Sequence, residues 1–338
     1  MKRKKKVILM NRREFLLKTA AGCAAFGLGT LGFPAIVFPK TQMKVGYIPI
    51  LDHLTLPVSH ARDNNSFKNI DIEPKLFKRW DDVAGALQAG AIGAAFLLSN
   101  FAMDIFNKGA DIKTILIGHR HGSGIAVRKD SKINSPSDLR GKTIATPARI
   151  STHTALLDTY LRGGGLSLSD VTTTPVAPPD MVKALEAGGI DAFIVAEPWV
   201  AKAVIERTGR LLILSKDIAP NHICCIVVVR NDVLKTNSEG IQEWIDSLIK
   251  SGRFIEKDKV DNRSRNVAPI ASKYMGHSET VVTEALQNPN DRITYSDLNP
   301  RKADYQTILN MSLRAKLMTN VDLNSFIDSS FYQGSRQK

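Results

Sequence analysis

Three cysteines in 338 residues exclude a disulfide scaffold, because a chain of this size buries enough apolar surface without covalent staples. No Gly-x-Ser-x-Gly elbow and no Walker phosphate loop is present, so the sequence offers neither of these catalytic frames. Gly118, Gly122 and Gly124 fall outside the Gly-x-Gly-x-x-Gly order and do not open a helix, which leaves a dinucleotide site unsupported. The His-Glu-x-x-His spacing of a helical zinc site is missing. No repeat of 20–50 residues marks a solenoid, and low-complexity sequence is confined to the N-terminal head. What remains is ordinary globular material, 43% hydrophobic and 23% charged.

The net charge of +13 is unevenly placed. Residues 1–40 hold nine Lys/Arg and one Glu, a balance of +8, which leaves 37 basic and 32 acidic residues, or +5, for the body. A nucleic-acid-binding body is not implied. The basic start, Lys2 to Lys6, leads to Asn11-Arg12-Arg13-Glu14-Phe15-Leu16-Leu17 and then to an uncharged Ala/Gly-rich stretch, Thr19 to Pro39. This matches a twin-arginine export signal at residues 1–40, which delivers folded protein to the periplasm. Cleavage is expected between Ala35 and Gln42. The competing reading is an uncleaved membrane anchor, which Pro34, Pro39 and the Gly-Ala composition disfavour.

Beyond residue 43 short apolar runs alternate with segments of helical period. Val45–Ile50, Ile70–Phe77, Ala94–Ser99 and Thr114–His119 read as strands, and Asp81–Gly90 as a helix. A second series follows: strand Thr143–Thr146, helix Thr152–Arg162 stopped by Gly163-Gly164-Gly165, strand Val171–Val176, helix Met181–Ala187, strand Ile190–Ala196 and helix Val200–Thr208. Strands Leu211–Leu214 and Ile223–Val229 close it, and the chain from Glu239 onward is helical. The expected class is α/β, with mixed sheets flanked by helices. Two units are read, 44–127 and 128–220. The first is too short to cover its sheet, so residues 221–338 are expected to fold back on it and complete a discontinuous lobe.

The seven histidines read as scattered polar residues. His119-x-His121 places two imidazoles on one side of a strand with no third ligand nearby, so no metal is expected. Cys224-Cys225 is either a pair of free thiols or a vicinal disulfide. In a strand the two side chains point to opposite faces, one into a pocket and one into the core. So thin a chemical inventory favours binding over catalysis, and no cofactor is expected.

Four motifs stand in order: Lys44-Val45-Gly46-Tyr47-Ile48-Pro49; Asp138-Leu139-Arg140-Gly141-Lys142-Thr143-Ile144; the run from Pro178 to Phe193; and Ala196-Glu197-Pro198-Trp199. Together they resemble the nitrate/sulfonate/bicarbonate-binding family of periplasmic substrate-binding proteins of ABC importers, over residues 44 to 330. The resemblance implies a two-lobed type II periplasmic binding protein with two crossover strands, lobe I being 44–127 with 221–338 and lobe II 128–220. It implies an oxyanion site that includes Trp80, Ser99, His119, Arg149, Ser151, Thr152, His153, Glu197, Trp199 and Cys225. Trp80 sits where the family has its tryptophan, and His153 where it has a histidine at a helix start; the bare N–H groups of such a start suit an anion. Ser151 or Thr152 can equally serve as the helix cap. Two departures weaken nitrate itself: Gly118-His119 stands where a Gln is implied, and Asn221–Cys225 holds no Lys. His119, His121, Arg120 or Arg149 is then the candidate source of positive charge.

The expected activity is capture of a small oxyanion (nitrate, bicarbonate or sulfonate) by a monomer that hands it to a permease in the inner membrane. A thiamine-pyrimidine precursor is the alternative solute. A pyrimidine-synthase-like enzyme, suggested by the cysteine pair, is the alternative of another class.

Overall fold

The computed structural model describes residues 40–336. The basic head, and with it the expected twin-arginine signal and most of the expected cleavage window from Ala35 to Gln42, lies outside the described residues. The strands are β1 Thr41–Tyr47, β2 Ile70–Leu76, β3 Ala94–Leu98, β4 Ile112–Ile117, β5 Arg120–His121, β6 Ser123–Arg128, β7 Thr143–Thr146, β8 Thr172–Pro175, β9 Ala192–Ala196, β10 Gly209–Leu214, β11 Cys225–Arg230 and β12 Ile293–Thr294. Between and after them come helices α1 Thr55–Asp63, α2 Trp80–Gln88, α3 Ser99–Asn107, α4 Thr152–Arg162, α5 Pro178–Glu186, α6 Trp199–Ile205, α7 Ser215–Ile218, α8 Asn231–Thr236, α9 Ser238–Asp261, α10 Val267–Met275, α11 Glu279–Gln287 and α12 Lys302–Arg314.

Two five-stranded sheets organise these elements, in the orders β2-β1-β3-β11-β4 and β10-β6-β9-β7-β8. In the first, β1 is parallel to β2 and β3, while β11 runs antiparallel to β3 and β4. In the second, β7 is parallel to β8 and β9, and β6 runs antiparallel to β9 and β10. The fold is the mixed α/β class expected. The central strands are apolar along their whole length: β3 and the stretch Cys225–Val229 of β11 are buried at every position. That is the pattern of strands covered on both faces.

The chain leaves the first sheet after β4, enters the second at β6, and returns at β11. Its C-terminal third then packs back on the first sheet. Helix α9 lies on α1, and α12 on α3 and α4, while Glu243 of α9 accepts hydrogen bonds from the backbone N–H groups of Lys68 and Asn69 (2.9 and 3.0 Å). Buried apolar residues of both sheets belong to one continuous cluster.

Boundaries differ from expectation where local chemistry decides. Helix α5 begins at Pro178, three residues before the expected Met181, because a proline at the first helical position gives up an N–H that would be unpaired anyway. The strand expected over Thr114–His119 ends at Ile117. Gly118 follows, and its N–H donates to the carbonyl of Cys225 (2.8 Å). A Cβ there would meet the Asp52 and Cys225 carbonyl oxygens at 3.0 and 3.1 Å. Gly122 has φ +82°, and a Cβ on it would lie 2.6 Å from Ile293 Cδ1 and 2.9 Å from Asp52 Oδ1. Both glycines therefore serve close backbone approach at the crossover.

Gly122→Ala should lower the unfolding free energy by about 1–3 kcal/mol through strain and displacement of Asp52. Urea unfolding measures it, and an unchanged midpoint would show that the crossover tolerates a side chain.

Candidate functional site

The parallel strands of both sheets end at a common region, and the residues just past their carboxyl ends build the site, as open α/β sheets generally arrange it. After β1 come Asp52 and His53; Trp80 starts α2 beyond β2; Ser99 and Asn100 start α3 directly after β3. From the second sheet come Ser151, Thr152 and His153 after β7, and Glu197 and Trp199 after β9. The antiparallel strands β6 and β11 begin at the same edge and supply Ser123 and Cys225.

Contacts join the two sets. Thr152 Oγ1 lies 3.3 Å from Ser99 Oγ and donates to Asn100 Oδ1 (3.2 Å). His153 Nε2 is 3.0 Å from Ser123 Oγ. Ser151 is the N-cap of α4, its Oγ accepting from the Thr154 N–H (3.0 Å). Of the two cap candidates it is Ser151 that caps, while Thr152 faces the other sheet. The Leu51 N–H donates to the Glu197 carbonyl (2.7 Å), and the Glu197 N–H to the Gly122 carbonyl (2.8 Å). Glu197 is fully buried, with Oε1 3.3 Å from Arg292 Nη1 and Oε2 accepting from the Ala201 N–H (3.0 Å). Burial raises its carboxyl pKa, and the Arg292 charge opposes that rise. Trp199 packs edge-on against His277, ring centroids 4.5 Å apart, and His277 Nε2 lies 2.9 Å from the Pro49 carbonyl. Arg149 is exposed and lines, with Trp80, a groove of about 370 Å³ walled by residues of both sheets' edges.

His53, His119, His121, His153 and His222 lie near enough for one another's charge to bear on their titration, so the expectation of scattered histidines is corrected. His119 and His121 do not share a strand face either: His119 lies past the end of β4, and His121 is turned by a left-handed backbone, φ +62°. The partners of His119 come from elsewhere in the sequence. Its Nε2 is 3.0 Å from Asp52 Oδ2 and 3.1 Å from the Cys225 N–H. Cys225 Sγ is 3.5 Å from Asp52 Oδ2. Cys224 is also drawn in: ligating atoms of Asp52, His119, Cys224 and Cys225 all lie within 4.8 Å of one another. The two thiols are free, and they do not take opposite faces as expected. Cys224 precedes the β11 ladder, so the strand's alternation does not apply to it.

Burial alone would push the His119 imidazole down, but the adjacent Asp52 carboxylate outweighs this and raises it to about 9. The other rings follow desolvation. His153 and His222 are lowered to about 3, and His53 falls well below its ordinary value. His53 Nδ1 accepts from the Ile48 N–H (3.1 Å), so its neutral ring carries the proton on Nε2. That Nε2, the indole Nε1 of Trp80 and Nδ1 of His119 are buried with no hydrogen-bond partner among the described residues. His53 and Trp80 meet edge to face, centroids 5.4 Å apart. Each is a donor that meets no acceptor among the described residues.

Residues 38–271, more than half of the chain, match the NMT1-like family. The chain belongs to that family. A curated relative is the nitrate/nitrite binding protein NrtA of Nostoc sp., 23% identical over 286 residues, covering 76% of this chain and 62% of that protein. Among solved structures, the ligand binding component of an ABC-type import system from Staphylococcus aureus with zinc bound matches with a TM-score of 0.80 and 24% identity, over 88% of this chain and 100% of that one. The periplasmic nitrate-binding protein NrtA from Synechocystis matches with a TM-score of 0.79 and 16% identity, over 88% and 89% of the two chains. The same fold is found in the desulfurization enzyme DSZB, with a TM-score of 0.62 and 16% identity. This NMT1-like chain thus has the two-lobed fold of periplasmic binding proteins. It spans 30% to 62% of the length of curated relatives it matches.

The sequence reading of this NMT1-like chain missed Asp52, His53, Asn100, Ser123 and Arg292 as site residues. Asp52-His53 did carry a signal: two polar groups interrupt the apolar run from Ile48 to Leu54. Arg292 carried none, since it reaches Glu197 from a loop 95 residues further along.

His153 is neutral in the fold down to about pH 3, whereas unfolded it titrates at its ordinary value of about 6.5. Acid therefore favours the unfolded chain, and its contribution to stability, complete above pH ~6.5, is lost as pH falls toward ~3. His153→Gln keeps a partner for Ser123 and removes this titration. The drop in urea midpoint between about pH 7 and about pH 4.5 should be shallower in the variant; equal drops would contradict the neutral imidazole.

Proposed function

We propose that this protein is the solute-binding component of an ABC importer and captures a small oxyanion between its two lobes without making or breaking a bond. The observation that carries the reading is the set of buried donors without protein partners, Trp80 Nε1, His53 Nε2 and His119 Nδ1, at the carboxyl ends of the parallel strands. An oxygen-rich ligand satisfies such donors. Helices α2, α3 and α4 also begin here, and the positive ends of their dipoles favour negative charge. The relatives point the same way, since their names give nitrate, nitrite, bicarbonate and aliphatic sulfonates as cargo.

Charge refines the choice. Arg292 is paired with Glu197, and Arg120 turns away to Asp297 and Asp304 (3.2 and 2.6 Å). His119 is paired with Asp52. The inner site therefore binds through neutral N–H groups, the N–H of a His119 ring whose charge Asp52 balances, and helix ends, and Arg149 at the groove mouth provides attraction from outside. Such a site suits a singly charged planar or tetrahedral oxyanion.

The lobes in this reading are 44–127 with 221–338, and 128–220. Crossings at 118–123 and 215–225 support two lobes, as does the Glu197 backbone bonded to both Leu51 and Gly122, although the first crossing moves Ser123–Val127 of β6 into the second lobe, ahead of the expected boundary at 127. Ligand binding selects the closed form, which a permease in the inner membrane recognises. The protein acts in the periplasm as a monomer, delivered there by the twin-arginine head.

A thermal-shift series over nitrate, nitrite, bicarbonate and short alkanesulfonates should raise the melting temperature with one of them, in proportion to ligand concentration over Kd. Trp80→Phe keeps the ring and removes the N–H. It should weaken that ligand roughly tenfold or more, the worth of one hydrogen bond to a charged group. Undiminished affinity would remove Trp80 from the site.

A further inference from the structure

Below the oxyanion donors lies a second constellation. Asp52, His119, Cys224 and Cys225 arrive from three separate segments: the turn after β1, the crossover after β4, and the entry to β11. All four are fully buried, with 0% exposure. Their ligating atoms lie within 4.8 Å of one another, Asp52 Oδ2 being 3.0 Å from His119 Nε2 and 3.5 Å from Cys225 Sγ. Asp52 Oδ1 has no hydrogen-bond partner among the described residues. A buried carboxylate oxygen without a partner is costly, and two adjacent free thiols beside it add two soft donors.

We propose that Asp52, His119, Cys224 and Cys225 form a tetrahedral site for one soft or borderline divalent cation of the zinc type. The chemistry selects the cation class. Two sulfurs, one imidazole nitrogen and one carboxylate oxygen match four-coordinate zinc and not calcium or magnesium, which take oxygen shells. Irregular backbone at Cys224 lets consecutive residues present both sulfurs to one point, which a regular strand would forbid. Gly118 and Gly122 bring the Asp52 segment this close, since a Cβ at either would strike it. On binding, the thiol protons and the imidazole proton on Nε2 leave to buffer, and no electron is transferred. His119 Nδ1–H stays directed at the pocket, held in orientation by a metal on Nε2. Because the four residues are sealed from solvent, the cation enters while the lobes are apart.

This site goes beyond solute capture and is tested without any oxyanion. The full chain, reduced and stripped with chelator, is titrated with Co²⁺ and then Zn²⁺. Binding of one equivalent is expected, with thiolate-to-cobalt charge-transfer absorption and tetrahedral ligand-field bands, and Zn²⁺ should raise the melting temperature. Cys224→Ala and Cys225→Ala should each weaken the cation roughly tenfold or more and reduce the charge-transfer band. His60→Gln, at a histidine bonded to Tyr274 away from the cluster, should change neither. No binding, a cobalt spectrum without thiolate charge transfer, or affinity indifferent to both cysteine variants would overturn the site. Should the variants fail to fold, the spectrum of the wild-type protein decides by itself.

Discussion

A polar group sealed from water must be satisfied or the fold is penalised, by about 1–3 kcal/mol for each unmet donor or acceptor. The region where the two sheets' strand ends meet violates this constraint repeatedly. Trp80, His53, His119 and Asp52 each present a buried atom without a partner among the described residues, although the apolar side chains around them form one continuous core. Such a concentration of unmet groups is tolerable if a ligand satisfies them, and in the proposed function the same free energy would separate open from closed forms.

Electrostatics divides the region into layers. Outermost is Arg149, exposed at a groove it shares with Trp80. Next come neutral rings, His53, His153 and His222, held uncharged by desolvation. Deepest is the Asp52–His119 pair with its two thiols, and the buried Glu197–Arg292 pair lies alongside. Full positive charge is thus kept at the rim or balanced within, so in the proposed function selectivity at the centre would rest on hydrogen-bond geometry. Buried ion pairs contribute little net stability when intact but cost several kcal/mol when one partner is removed. The Glu197–Arg292 pair is accordingly better understood as fixing the position of the β9 carboxyl end than as strengthening the fold.

The fold was legible where periodicity and punctuation agree. Thr143–Thr146 and Thr152–Arg162 match their expected bounds, because a Gly stop and a Ser cap mark the helix and a β-branched start marks the strand. Of the candidate site, Trp80 and His153 were singled out through family position, and both lie at this edge of the sheets. The cluster under them was hidden for a physical reason: its four members are brought together by sheet order β1-β3-β11-β4, and no local spacing encodes a neighbour 170 residues away. The alternation rule misled at Cys224, since it holds only inside a ladder. The glycines at 118 and 122 were read as a failed nucleotide motif, when what they permit is the approach of backbone to Asp52.

The most direct test of the central claim is nitrogen–proton NMR of the indole groups during titration with an oxyanion that stabilises the protein. Trp80, Trp199 and Trp244 give three resolvable signals. A ligand satisfying the unmet donors should shift the Trp80 N–H strongly and leave that of Trp244, a buried residue of α9, unmoved. A stabilising ligand that leaves the Trp80 N–H where it was would place the binding site elsewhere.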